Sequence, residues 1–187
     1  NEVLDGLLDP PKYFPSNVLL NKKGYDESDK ILNKNLNSLE PNEVKKKLTD
    51  NSIVLLDVRS PKEFSDSHIP GSIFIGLDGR FAPWVGEVLE NISTSLIIIC
   101  PKGREKETVL RLSRVGFDNV VGYLNGGIKN WIKFGGSIAT IENRQASDFT
   151  DIKSSKENIL DVRSNAEHKS ECFNNSLNIP LPELRSS

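Results

Sequence analysis

Methionine is absent from this 187-residue sequence, and cysteine and histidine occur only twice each. Cys100 and Cys172 stand in unlike contexts and give no disulfide framework. His68 and Cys100 lie far from each other and from the pair His168 and Cys172, so a structural zinc site, which needs four ligands drawn together, is not expected. Long hydrophobic runs are missing too. The longest, Ser95-Leu96-Ile97-Ile98-Ile99-Cys100, falls far short of the ~18–20 residues of a membrane helix and has the length and branching of a buried strand. Neither sign of charge dominates. With 24 Lys and Arg against 26 Asp and Glu, the net charge of −2 argues against nucleic acid or an anionic membrane as partner. No signal peptide is visible, so the expected location is the cytoplasm. A first residue of Asn1 in a chain without methionine reads as a piece of something longer.

What is present is the composition of a globular protein, 27% charged and 36% hydrophobic. Up to about Asn37 the chain is rich in Pro, Asn, Lys and Asp, and Pro10-Pro11-Lys12-Tyr13-Phe14 suggests an extended segment lying on another surface. The texture then changes. A short helix is expected from Pro41, strands at Ile53–Asp57, Ser72–Ile75, Leu96–Ile99 and Asn119–Tyr123, an amphipathic helix over Arg104–Val115, and a helix opening at Gly126-Gly127. Strands alternating with helices imply a parallel sheet of about five strands covered on both sides.

A repeat runs through this pattern. Leu56-Asp57-Val58-Arg59-Ser60 recurs as Leu160-Asp161-Val162-Arg163-Ser164, an offset of 104 residues, and the register holds through Glu63 and Glu167, Ser72 and Ser176, and Ile75 and Ile179. A period of that size is a duplicated domain rather than a solenoid.

Leu56-Asp57-Val58-Arg59, Glu63-Phe64 and His68-Ile69-Pro70-Gly71-Ser72-Ile73 resemble the opening of a rhodanese domain. Gly116-Phe117-Asp118-Asn119-Val120 through Leu124-Asn125-Gly126-Gly127-Ile128 to Trp131 resemble its close. Pro10–Phe14 and the insert Gly76–Gly86 are similar to fusions of a metallo-β-lactamase-type domain with two rhodanese domains, such as bacterial persulfide dioxygenase–rhodanese proteins. The resemblance implies three parts. Residues 1–37 would be a linker and the tail of the metal-binding domain, 38–137 a first rhodanese-like domain, and 138–187 the start of a second, incomplete one. No His-x-His-x-Asp motif is present, so no metal and no cofactor is assigned to this stretch.

The family's nucleophile is a cysteine that takes a sulfane sulfur as a persulfide, in a loop of backbone N–H groups at a helix start. The resemblance places Cys100 in that role, with Lys102, Gly103 and Arg104 as the anion-binding loop. Active members follow Cys-x-x-Gly-x-Arg; here Arg104 comes one position early, and Glu105 and Glu107 stand where the cradle should be neutral or cationic. A carboxylate there raises the thiol pKa, at ~1.4 kcal/mol per unit, while Lys102 and Arg104 oppose it. The resulting expectation is a sulfur-handling fusion enzyme whose first repeat is a degenerate scaffold with little activity. The alternative is an active thiosulfate or persulfide sulfurtransferase working through Cys100. The partners implied are a small sulfur-containing substrate and the metallo-β-lactamase-like domain of the same parent chain, and a homo-oligomer is compatible with the sequence. A phosphatase loop needs Cys-x5-Arg, and the sixth residue after Cys100 is Lys106. Asp57 with Arg59, His68 and Gly126-Gly127 read as structural, Phe81 and Trp84 as packing the insert on a neighbouring domain. Cys172 stands at the register position of His68 and reads as non-catalytic.

Overall fold

The computed structural model describes residues 28–89, 91–145 and 158–184, in two units, Asn1–Glu142 and Asn143–Ser187. In the first, five strands form one parallel sheet: β1 Ser38–Leu39, β2 Ile53–Asp57, β3 Ile73–Phe74, β4 Ser95–Ile99 and β5 Val120–Leu124, in the order β1-β5-β4-β2-β3. Among the described residues six helices accompany it: α1 Ser28–Asn35, α2 Pro41–Lys47, α3 Pro61–Asp66, α4 Phe81–Leu89, α5 Glu105–Ser113 and α6 Gly127–Lys133.

The unbroken apolar run of β4 follows from its place at the middle of a sheet covered on both faces. Side chains alternate along a strand. Leu96 and Ile98 pack with Ile31 and Leu32 of α1, Phe81 and Val85 of α4, and Val109 and Leu112 of α5. Ile97 and Ile99 face the other way, onto Val44 of α2 and Trp131 of α6. Helix α3 is fixed at its start by a capping box: Ser60 Oγ accepts from the Glu63 N–H, and the Glu63 carboxylate accepts from the Ser60 N–H at 3.0 Å, with Pro61 in the first turn.

Three features depart from the sequence expectation. Residues 28–35 are not extended but helical, and Ile31 and Leu32 are buried in the domain's own core. Two apolar residues among Lys, Asn and Asp are too few to mark a helix in the sequence, although they suffice once a core receives them. Pro10–Phe14 lie outside the described residues. The insert contains a helix, α4, and its Phe81 is fully buried within the same domain rather than turned to a neighbour. Trp84, on the same helix, is 40% exposed. Finally, the first unit continues past residue 137. His68 and Ala139 exchange N–H···O bonds of 2.9 and 2.8 Å, and the Ile141 N–H donates to Ser65 O at 2.9 Å.

The second unit holds β6 Leu160–Asp161, α7 Asn165–Ser170, β7 Leu177–Asn178 and a 3-10 turn at Leu181–Glu183. Its pairing repeats the first unit residue for residue. Leu56 pairs with Ile73 and Asp57 with Phe74; Leu160 pairs with Leu177 and Asp161 with Asn178. The capping box recurs at Ser164 and Glu167. What differs is cover: Leu56 and Val58 are at most 1% exposed, whereas Leu160, Val162 and Leu177 are 47%, 40% and 61% exposed.

Candidate functional site

An open cleft of about 870 Å³ lies at the carboxyl ends of the strands of the first unit, where open parallel sheets bind ligands. Segments following β2 (Arg59, Glu63), β4 (Cys100–Gly103, Glu105) and β5 (Leu124–Asn130) line it, together with Lys133. Cys100 follows the last residue of β4 directly, and α5 begins five residues later, so the thiol sits between a strand end and a helix start, as the sequence implies.

The first wall is a buried ion pair. Asp57 is fully buried at the end of β2, and Arg59 clamps it, with Nε 2.9 Å from Oδ1 and Nη2 2.6 Å from Oδ2. The Arg59 backbone N–H adds a further bond to Oδ1, and Nη2 also donates to Ser67 O at 2.7 Å. Together these bonds hold the turn between β2 and α3. Arg59 borders the cleft as an anchored cation, which matches its structural reading.

The charged side chains of the cysteine loop point apart. The Arg104 side chain, expected among the anion-binding groups, does not line the cleft. Its guanidinium binds Glu107 through Nε at 2.8 Å and Asp78 through Nη2 at 2.9 Å, tying the loop to the insert and holding both carboxyls below their ordinary pKa. Glu105 turns the other way, into the cleft, where its Oε1 accepts the Gly103 N–H at 3.1 Å. Gly103 has φ +85°, a left-handed conformation that costs an L-residue strain and that aims this turn. Arg104 N–H closes the turn on Pro101 O at 3.0 Å. Lys102 is exposed at the rim.

These placements set the state of the thiol. Cys100 is 9% exposed, and its pKa is pushed up to about 12, first by burial and then by the negative charges of Glu105 and Asp57. At neutral pH it is a thiol, not a thiolate.

Two cleft lysines escaped the sequence reading. Lys129 and Lys133 lie four residues apart on α6, one helical turn, and both border the cleft. The visible signal was the Gly126-Gly127 pair, whose φ values of +68° and +59° turn the chain from β5 sharply into α6. His68 is buried, stacked on Phe64 at 4.1 Å, with Nδ1 2.9 Å from Phe64 O, and has no place in the cleft. Cys172 is exposed and belongs to the second unit. Among the described residues no three His, Cys, Asp or Glu side chains assemble as a metal site, and no helix is long and apolar enough to cross a membrane.

The chain is similar to several known proteins. The family described as "Rhodanese-like domain" matches residues 40–134. A Bacillus subtilis (strain 168) protein named "Putative sulfur carrier protein YrkF" is 34% identical over 84 residues, 44% of this chain; the chain spans 43% of that relative's length. Among solved structures, the rhodanese-like domain of the Alr3790 protein from Anabaena sp. is 22% identical with a TM-score of 0.49, over 58% of this chain and 83% of that one. The single-domain sulfurtransferase RDL2 of Saccharomyces cerevisiae is 25% identical with a TM-score of 0.44, over 55% and 94%.

Proposed function

Because this chain belongs to the rhodanese-like family, we propose that its first domain is a degenerate rhodanese, a scaffold within a sulfur-handling fusion protein and not itself a sulfurtransferase. One observation carries the reading. The loop that should present N–H groups and an arginine to an anionic sulfur donor presents Glu105, hydrogen-bonded to Gly103, while Arg104 is bound outside to Asp78 and Glu107. Beside it Cys100 is a buried thiol with its pKa pushed up to about 12. Transfer requires a thiolate to attack the outer sulfur of thiosulfate, forming Cys–S–S⁻ and releasing sulfite; cyanide then takes the terminal sulfur as thiocyanate and returns the thiolate. A neutral thiol in a site bearing a carboxylate is poorly placed for the first step. The scaffold reading expects thiosulfate:cyanide turnover at the buffer background, unchanged by Cys100→Ser. Robust turnover abolished by that substitution overturns it.

The alternative, an active sulfurtransferase acting through Cys100, is favoured by the open cleft and the three lysines, Lys102, Lys129 and Lys133, on its wall. The same assay decides between the two.

The parent in this reading is a fusion of a metallo-β-lactamase-like domain with two rhodanese-like repeats. The likeness of Pro10–Phe14 and the insert supports the first part. The shared register of Leu160–Asn178 with Leu56–Phe74 supports the second. The reading frame around the coding sequence tests it: a neighbouring His-x-His-x-Asp motif upstream in frame is the expected result, and a frame without one contradicts the fusion.

A further inference from the structure

Building on the reading of the first domain as a degenerate rhodanese, we propose that Glu105 is an autoinhibitory occupant of the loop, a carboxylate that fills the seat an anionic ligand would take in the Cys100 cleft. Two backbone donors of the loop are committed, while those of the first turn of α5, Glu105 to Glu107, stay open as at any helix start. Pro101 has no N–H. The Arg104 N–H is spent on Pro101 O, and the Gly103 N–H on Glu105 Oε1 at 3.1 Å. Within residues 101–104 this leaves the Lys102 N–H without a hydrogen-bond partner among the described residues. The seat therefore holds a negative charge on one of its donors, so an incoming anion must both displace a hydrogen bond and approach a carboxylate.

The rest of the cleft is not hostile to anions. Lys102, Lys129 and Lys133 line it, against Glu63 and Glu105 as acids, and Arg59 is held by Asp57. With Glu105 neutralised the side-chain balance of the wall becomes clearly cationic. In this proposal the cleft keeps its capacity for an anion and stays open to solvent, with one side chain occupying the loop, which separates a plugged site from a lost one. The ligand class is a small tetrahedral oxyanion such as sulfate or thiosulfate.

Titration of the 187-residue protein with sulfate at constant ionic strength, followed by amide NMR of Gly103 and Lys102, tests this. Sulfate carries no sulfane sulfur and so reports binding apart from chemistry. Glu105→Gln removes the charge at constant size; Glu105→Ala removes charge and occupant together. The expected result is sulfate binding at least about tenfold tighter than wild type in Glu105→Ala, with both amides moving. Equal tightening in Glu105→Gln assigns the block to charge, and tightening in the alanine variant alone assigns it to occupancy; both support the proposal. Glu107→Gln, whose carboxylate is held by Arg104 away from the cleft, should bind as wild type. Wild-type binding through Gly103 as tight as that of Glu105→Ala, or no tightening in either Glu105 variant, overturns it. Preserved amide dispersion confirms folding, and Glu105→Gln alone decides the outcome if the alanine variant unfolds. Failure here leaves the degenerate reading standing, because that reading falls on a different result, fast alkylation of Cys100.

Discussion

Asp57 with Arg59 and Asp161 with Arg163 are the same three-residue motif in two settings. Both guanidiniums are bidentate, and each also reaches a backbone carbonyl, Ser67 O or Glu171 O. Both partners of the first pair are buried, whereas in the second Arg163 is exposed. A buried pair that loses one partner leaves a stranded charge. Arg59→Ala should therefore cost ~3–5 kcal/mol in urea unfolding, and the double replacement of Asp57 and Arg59 by Leu and Met clearly less. Arg163→Ala should leave the midpoint of the first domain unchanged. Equal effects at the two sites would show that burial is not what distinguishes them.

Cys100 also ties stability to pH. Its folded pKa lies above that of the unfolded thiol, so the folded state holds the proton more tightly. The contribution is intact below about pH 9 and is lost as pH rises towards 12. Cys100→Ala should flatten that alkaline loss, which thermal melts between about pH 8 and 11 would measure. The motif residues Asp57, Arg59, Cys100 and Gly103 were legible in the sequence because the resemblance to a rhodanese domain and, for the first two, the 104-residue repeat mark them. Which of Glu105 and Glu107 faces the cleft was not. The two are two residues apart on a helix, about 200° around its axis, so only one can. Arg104 settles it by pairing with Glu107, three residues on and one turn away.

At the scale of elements, burial on both faces makes β4 readable as a strand, and its position between β5 and β2 places the cysteine loop. Helix α4 was hidden by Pro83 and Gly86, ordinarily breakers; Pro83 lies in its first turn, where a missing N–H costs nothing. The edge strand β1, two residues long, gave no pattern to read. Its packing can nevertheless be tested at Gly122 in β5, where an added Cβ would come within 2.5 Å of Asn37 O and 2.8 Å of Leu39 Cγ. Gly122→Ala should cost ~1–3 kcal/mol, as overpacking does. An unchanged melting temperature would mean β1 moves aside freely.

In the whole molecule the repeat is a matter of local pattern more than of packing. Capping box, Asp–Arg clamp and strand register are all reproduced in the second unit, because each is specified by residues close together in the chain. Burial depends on strands further along, and there the units part: Leu56 is fully buried, Leu160 47% exposed. A two-stranded sheet with exposed apolar residues has little independent stability. Amide exchange at Leu160 and Leu177 should therefore be faster by orders of magnitude than at Leu56 and Leu96. Comparable protection would require a cover for β6 and β7 that the described residues do not supply.

The central claim, that the first rhodanese-like domain carries a protonated and unreactive thiol, is tested most directly by the pH dependence of Cys100 alkylation. Cys172 is exposed and would dominate such a measurement, so the chain carries Cys172→Ser. With the thiol pKa pushed up to about 12, iodoacetamide should react at pH 7 at least about a hundredfold more slowly than with free cysteine. The rate should rise roughly tenfold per pH unit and reach no plateau below about pH 10. Fast reaction at pH 7, saturating by about pH 6, would mean that Cys100 is a stabilised thiolate after all and would contradict the account.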